Sequence, residues 1–217
     1  MKNNYLPILG LITLFSCGPQ ERVSKEAFDE VNRGMEVKRI TEVEIIQEAM
    51  VWGDSITNMA QSELVGNLQK AIADGGLPGA IGFCNENAIS ILKGIDSIYS
   101  VKIRRVTLKP RNPFNSPDQE ELPIMEAYEY NAEQKIKSEP NIQKIQKGEV
   151  FLYTKPISIP NGMCLSCHGE AGKEIDKLTM NKLGELYPND QAKGYKVGDL
   201  RGMWSVRIPK KEVVKTF

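Results

Sequence analysis

One histidine and four cysteines in 217 residues leave little room for metal or acid–base chemistry built from many ligands. A single histidine excludes any site that takes two imidazoles from one chain, such as a metal ligand with a separate acid–base histidine. Lysine plus arginine and aspartate plus glutamate stand at 28 each, so the positive excess of a nucleic-acid-binding surface is missing and no nucleic-acid partner is expected. Beyond the first fifteen residues no run is long and apolar enough to span a bilayer. Repeats and low-complexity tracts are absent too, which excludes solenoids and disordered arrays. What remains is 41% hydrophobic and 26% charged, enough to bury a core in one domain with extensions, or in two small ones.

The N-terminus reads as an address. Lys2 supplies one positive charge, and Leu6 to Phe15 form an apolar stretch of signal-peptide length. It ends in Leu14-Phe15-Ser16-Cys17, which resembles a bacterial lipobox with Cys17 as the lipid acceptor; the alternative is an ordinary secretory signal with a chance cysteine. Acyl chains at about 0.8 kcal/mol per buried methylene would hold the mature protein to a membrane. The expected organisation is a signal peptide over 1–16, a lipidated N-terminus and tether over 17–40, and one domain over 41–217. The localisation expected is exported and membrane-anchored, facing the periplasm or cell exterior.

Within the tether a short helix is expected over Lys25 to Arg33. Apolar residues at helical spacing predict a longer helix over Thr41 to Asp74, stopped by Gly75-Gly76 and Pro78 and bent at Gly53. A second helix is predicted from Gly79 to Lys93, with Ile81, Cys84, Ala88, Ile91 and Leu92 on one face. Strands are predicted over Val101 to Leu108, Glu149 to Ile159 and Gly202 to Ile208, with a stiff loop at Lys109 to Pro113. Ser116-Pro117-Asp118-Gln119 has the pattern of a helix start, with Pro123 restarting or kinking a helix that runs to Lys137. Helices mixed with separated strands predict an α+β domain.

The chemistry concentrates in Cys164-Leu165-Ser166-Cys167-His168. This spacing lets two thiols form thioethers with the vinyl groups of one haem while the adjacent histidine becomes the proximal iron ligand. Attachment of that kind takes place on exported chains, so signal and motif support each other. Two alternatives stand beside a single covalent haem c. Cys84, Cys164, Cys167 and His168 make up a Cys₃His zinc set, and Cys164 with Cys167 could form a disulfide. With haem bound, one histidine excludes bis-histidine ligation, which leaves the sixth position to Met, Cys, Lys, water or nothing. Met125, Met180, Met203 and Cys84 are the candidates considered, each also readable as core filler.

Three stretches together carry a resemblance: Ala80 to Cys84, Ile103 to Asn115, and Cys164 to His168 continued through Tyr187-Pro188-Asn189-Asp190, Gly194-Tyr195, Gly198-Asp199 and Arg201-Gly202. They resemble a bacterial family of c-type haem domains with a PAS-like fold, first described in cyanobacteria and long catalogued as a domain of unknown function. The resemblance covers roughly residues 41 to 209. It implies an α+β, PAS-like fold, a central antiparallel sheet flanked by helices and enclosing one covalently bound haem. It also implies axial ligation of the iron by His168 and Cys84.

Thiolate ligation stabilises ferric iron and lowers the potential. Arg104, Arg105 and Arg111 are candidates to pair with haem propionates, or form a solvated basic face. Asn112 and Asn115 are expected to shape the loop. The function expected is a redox or diatomic-gas sensor, binding NO or CO, that signals through an unidentified protein partner. A low-potential electron carrier and a haem enzyme such as a peroxidase are the alternatives, the last weakened by the lack of a second histidine.

Overall fold

Four strands pair antiparallel into one sheet of order β1-β4-β3-β2: β1 (Lys102–Val106), β2 (Asn141–Ile145), β3 (Val150–Ser158) and β4 (Leu200–Pro209). The computed structural model describes residues 24–34 and 39–217. It divides into two units, Met1–Arg39 and Ile40–Phe217. In the first, α1 (Lys25–Gly34) begins at Ser24, whose hydroxyl accepts from the Ala27 amide at 3.1 Å. Cys17 and the apolar signal stretch lie outside the described residues. Among the described residues no helix is long and apolar enough to cross a membrane.

The second unit is built on α2 (Glu42–Tyr99). A reciprocal capping box starts it: Thr41 Oγ1 accepts from the Glu44 amide at 3.2 Å, and Glu44 Oε2 accepts from the Thr41 amide at 2.7 Å. The predicted stop at Gly75-Gly76 is a kink, because only Gly76 leaves helical geometry, at φ 63° and ψ −170°, a region open almost solely to glycine. Pro78 then sits where a restarting helix has no amide partner to lose. The second half runs past Lys93 to Tyr99 and ends at Ser100, in left-handed geometry at φ 53°.

Strand alternation gives the sheet two different faces. Ile103, Phe151, Tyr153, Trp204, Val206 and Ile208 pack against Ile45, Ala49, Ile56 and Ala60 of α2. Val106, Leu152 and Met203 pack on the other side against Ile124, Met125 and Tyr128 of α3 (Leu122–Glu133). Helices on both sides of an antiparallel sheet meet the α+β, PAS-like expectation. The register shifts between Ile157 and Ser158, at the end of β3 where the cavity described below begins.

Several boundaries differ from expectation. The start signal at Ser116 belongs to a 3₁₀ turn over Pro113–Asn115, which Ser116 closes by donating its amide to the Pro113 carbonyl at 3.0 Å. The helix begins at Leu122, with Pro123 in its first turn, and ends before Lys135, which turns left-handed at φ 58°. The unpredicted elements are β2, a 3₁₀ turn over Gln146–Gly148, α4 (Gly162–His168), α5 (Lys177–Leu186) and α6 (Lys210–Val214). β2 is an edge strand with no buried residue, and α5 buries only Thr179 and Leu183, so neither carries a strong apolar period.

Gly53 does not bend its helix. A Cβ there would stand 2.2 Å from Cγ of Tyr153, so glycine is what lets α2 approach the sheet. Gly53→Ala should therefore destabilise the domain by about 1–3 kcal/mol through overpacking. Gly66→Ala, where a Cβ meets nothing within 4 Å, should stabilise by about 0.5–1 kcal/mol. Urea unfolding of the two variants checks the contrast, and equal effects would remove the packing explanation.

Candidate functional site

At the end of the sheet, on its α2 side, a cavity of about 350 Å³ opens between the stretches of α2 on either side of Gly76, the ends of β1 and β3, and α4. Leu64, Leu68, Ile72, Ile81 and Leu92 give it apolar walls, and Cys84, Cys164, Cys167 and His168 all line it. Helical spacing in α4 puts Cys164 and Cys167 on one face. Cys164 packs beside Ile159, Ala192 and Tyr195, and Cys167 beside Ile81, Leu183 and Tyr187. Cys84, Cys164 and Cys167 are free thiols, so the disulfide alternative is not formed. Among the described residues no three His, Cys, Asp or Glu side chains gather to hold a metal, so the zinc set is not assembled either.

His168 is fixed from two directions. Its Nδ1–H donates to the Ala192 carbonyl at 2.8 Å, and its own carbonyl accepts from the Tyr195 amide at 2.9 Å. The Tyr195 ring meets the imidazole edge-on, 6.2 Å between centroids at 88°. Protonation at Nδ1 leaves Nε2 with the free lone pair, the state a metal-ligating histidine requires. Burial pulls the His168 pKa well below its usual value, and the charges of Arg111 and Arg201 add to that. The imidazole is thus neutral at physiological pH.

The three arginines read from the sequence separate. Arg105 lines the cavity. Arg104, its neighbour in β1, does not: alternation turns it to the α3 side, where Nη2 donates to the Phe114 carbonyl at 2.8 Å and Nη1 lies 3.8 Å from the buried Glu121 carboxylate. It is therefore no partner for a ligand in the cavity. Arg111 lines the cavity but is engaged by the protein: Nη2 donates to the carbonyls of Cys167 and Ala192, the latter at 3.3 Å. Its Nε stands 3.2 Å from Asp190 Oδ2, an ionic contact without hydrogen-bond alignment. Asp190 in turn accepts from the Ala192 amide at 2.8 Å.

Burial raises the pKa of the Cys84 thiol, while Arg105 and Arg111 oppose the rise; burial raises Cys167 likewise. Of the methionines considered as ligands, Met125 and Met203 lie in the core on the α3 side and Met180 packs beside Ile81 and Leu183. The methionine that lines the cavity is Met163. Asn112 accepts from the Phe114 amide at 3.0 Å and the Asn115 carbonyl accepts from the Thr107 amide at 3.0 Å, so both shape the loop as expected while also lining the cavity. Asp190, Tyr195 and Arg201 are site residues to which sequence reading assigned no role, although each stands in the stretches that carry the resemblance.

The Asp190 side chain is fully buried and that of Arg111 is 14% exposed. Arg111→Met should cost about 1–3 kcal/mol, because it leaves the buried Asp190 carboxylate only Lys193 at 3.6 Å and the Ala192 amide, and the Cys167 and Ala192 carbonyls lose a donor. Adding Asp190→Asn to that variant should recover part of the loss, as coupled neighbours do. Urea unfolding of the single and double variants measures both, and strictly additive losses would mean that the two residues do not act as a pair.

No curated protein matches the chain. Among solved structures it is similar to the crystal structure of the cyanobacterial heme-protein Tll0287, at 26% identity and a TM-score of 0.48 over 68% of this chain and 91% of that one. The profile of the Tll0287-like family matches residues 21–209, most of the sequence. The chain belongs to the Tll0287-like family.

Proposed function

We propose that this chain is an exported, membrane-anchored mono-haem c-type protein that serves as a redox or diatomic-gas sensor. The observation that carries the proposal is the tautomer of His168: with Nδ1–H held by the Ala192 carbonyl at 2.8 Å, Nε2 is the lone-pair nitrogen of a side chain that lines the cavity together with three free thiols. The residues fit a haem. Cys164 and Cys167 would hold it as thioethers, His168 and Cys84 would be the axial ligands, and the group would supply one-electron redox chemistry and a coordination site for NO or CO.

The chain's own residues favour a switch over a rigid carrier. Cys84 sits on a helix whose neighbouring lining residues, Ile81, Phe83 and Ala88, are apolar. Burial there prefers the neutral thiol over the thiolate. Arg105 and Arg111 favour the thiolate but do not outweigh burial, so a sulfur held in its anionic form chiefly by the metal is one that can be released. A sensor of this kind passes its signal to a separate protein, and Cys17 would keep it at the membrane where that partner works.

Haem bound through two thioethers should survive denaturation and acid-acetone extraction, and Cys164→Ala with Cys167→Ala should free it. In the same preparations Cys84→Ser should abolish the low-spin thiolate signature of the ferric electron-resonance spectrum and raise the midpoint potential, while Met180→Leu changes neither. Haem extracted from the unaltered chain would sink the attachment. An unchanged Cys84→Ser spectrum would remove the thiolate and, with it, the sensor.

The anchor is tested separately. Cys17→Ala should move the protein from the membrane fraction to an unprocessed or soluble one with its haem intact. A variant that is still processed and still sediments with membranes would show that Cys17 is not the acceptor.

A further inference from the structure

Arginine is expensive to bury without a partner, and this cavity holds two such groups. Arg105 lines it with no hydrogen bond or ion pair to any described residue. Arg201 lines it from the start of β4, and its buried Nε has no hydrogen-bond partner among the described residues. The remaining contacts of Arg201 aim it without neutralising it. Nη1 donates to Thr107 Oγ1 at 3.1 Å and reaches the Lys109 carbonyl at 3.5 Å, and the guanidinium lies 5.5 Å from the centre of the Tyr195 ring. No aspartate or glutamate is among the described residues that line the cavity. The acid near Arg201, Asp190, is taken up by Arg111 and by Lys193 at 3.6 Å.

We infer that Arg201 and Arg105 together form a carboxylate clamp, one guanidinium for each propionate of the bound haem. The inference rests on the haem reading above and replaces Arg104 and Arg111 in the role that the sequence suggested for them. Planar guanidinium forks match carboxylates in geometry as well as charge. Burial lowers the pKa of both arginines, that of Arg201 to about 10, and opposite charge from Cys84 and Tyr187 acts against the fall at Arg105; a guanidinium keeps its proton in proteins, so both gain from an incoming anion. The charged and titratable groups that act on Arg201 are Tyr195, Arg111, Arg105 and Asp190.

The test is the midpoint potential of the haem-matured full chain, followed from about pH 5 to pH 8, a window just above the ordinary carboxyl range. Paired propionates stay ionised throughout, and any proton taken up by a released Cys84 is common to all the proteins, so each profile is read as its difference from that of the unaltered protein and is flat unless a propionate titrates. In R201Q or R105Q one buried propionate loses its cation and its pKa rises into the window. Its ionisation on the way up adds a negative charge that favours ferric iron. The potential should then fall with rising pH, the ferric–ferrous equilibrium moving by up to about tenfold per pH unit. R201K keeps the charge and should keep the flat profile, and R104Q, altered on the other face of the sheet, should match the unaltered protein. R201M keeps the apolar stem over Tyr195 and serves as a second uncharged variant should R201Q fail to fold. A flat profile in both uncharged Arg201 variants, with haem still covalently bound, overturns the clamp. So does a potential that responds to added chloride in the unaltered protein but not in R201M, since Arg201 would then bind a free anion. Acid-acetone extraction is scored first, so a chain that never retains haem refutes the proposed function instead of the clamp.

Discussion

Arg111 ties together the segments on which the site depends. Its guanidinium donates to the carbonyls of Cys167 and Ala192 and faces the Asp190 carboxylate, linking the loop after β1, the last turn of α4 and the connection that leads into β4. A carbonyl in the last turn of a helix has no partner within that helix, and an arginine is a common way to satisfy it. The Ala192 carbonyl also accepts from His168 Nδ1, so the group that orients the imidazole is itself held by the arginine. The Gln191 amide donates to the Pro110 carbonyl at 3.1 Å and fastens the same two loops a second time. The Arg111 Nη2 and Ala192 carbonyl bonds couple the imidazole to the loops, while Arg111 Nε and Asp190 Oδ2 meet only as an ion pair at 3.2 Å.

The long helix serves two purposes, and both halves share in each: Leu64, Leu68 and Ile72 before Gly76 also wall the cavity, and Leu92 and Ile95 after it belong to the main core. Before the kink, Ile45, Ala49, Ile56 and Ala60 lie against the sheet and build the main core. After it, Ala80, Ile81, Cys84 and Ala88 face the cavity. Positions 80, 84 and 88 recur every four residues, so the cysteine stands in a row that packing alone would explain. Spacing could therefore place Cys84 on a buried face and no more. The fold adds that this stretch of the face borders the α4 thiols across open space, where a core residue would have a packed neighbour.

What the sequence made legible follows the strength of the apolar signal. β1, β3 and β4 carry β-branched and aromatic residues and emerge within a few residues of expectation. β2 lies at an edge and α4 and α5 are half-exposed, so their sequences had little hydrophobic period to read. The motif residues were readable because their chemistry is written in adjacent positions, whereas the arginines were not. Arg104 and Arg105 are neighbours in sequence, and only the pleat of β1 turns one to the cavity and the other to Glu121. Arg201 stands at the start of β4 and Asp190 in the loop before it, and nothing in the local pattern says what they face. Their roles arise from tertiary proximity to His168, which no single-sequence period encodes.

The composition of the cavity also restricts what can fill it. The thiols of Cys84 and Cys167 and the phenol of Tyr187 are all pushed towards their neutral forms by burial, so they do not balance Arg105 and Arg201. A small anion would satisfy the guanidiniums but leave the walls of Leu64, Leu68, Ile72, Ile81 and Leu92 against water. A wholly apolar ligand would cover those walls and leave two buried cations unmatched, at a cost of several kcal/mol each. A ligand with a broad apolar body and an acidic edge meets both demands. Cys164, Cys167 and His168 come from one short helix that lines the same cavity. Haem has that distribution of charge and surface, whereas a zinc ion and a disulfide have neither the area nor the acid groups.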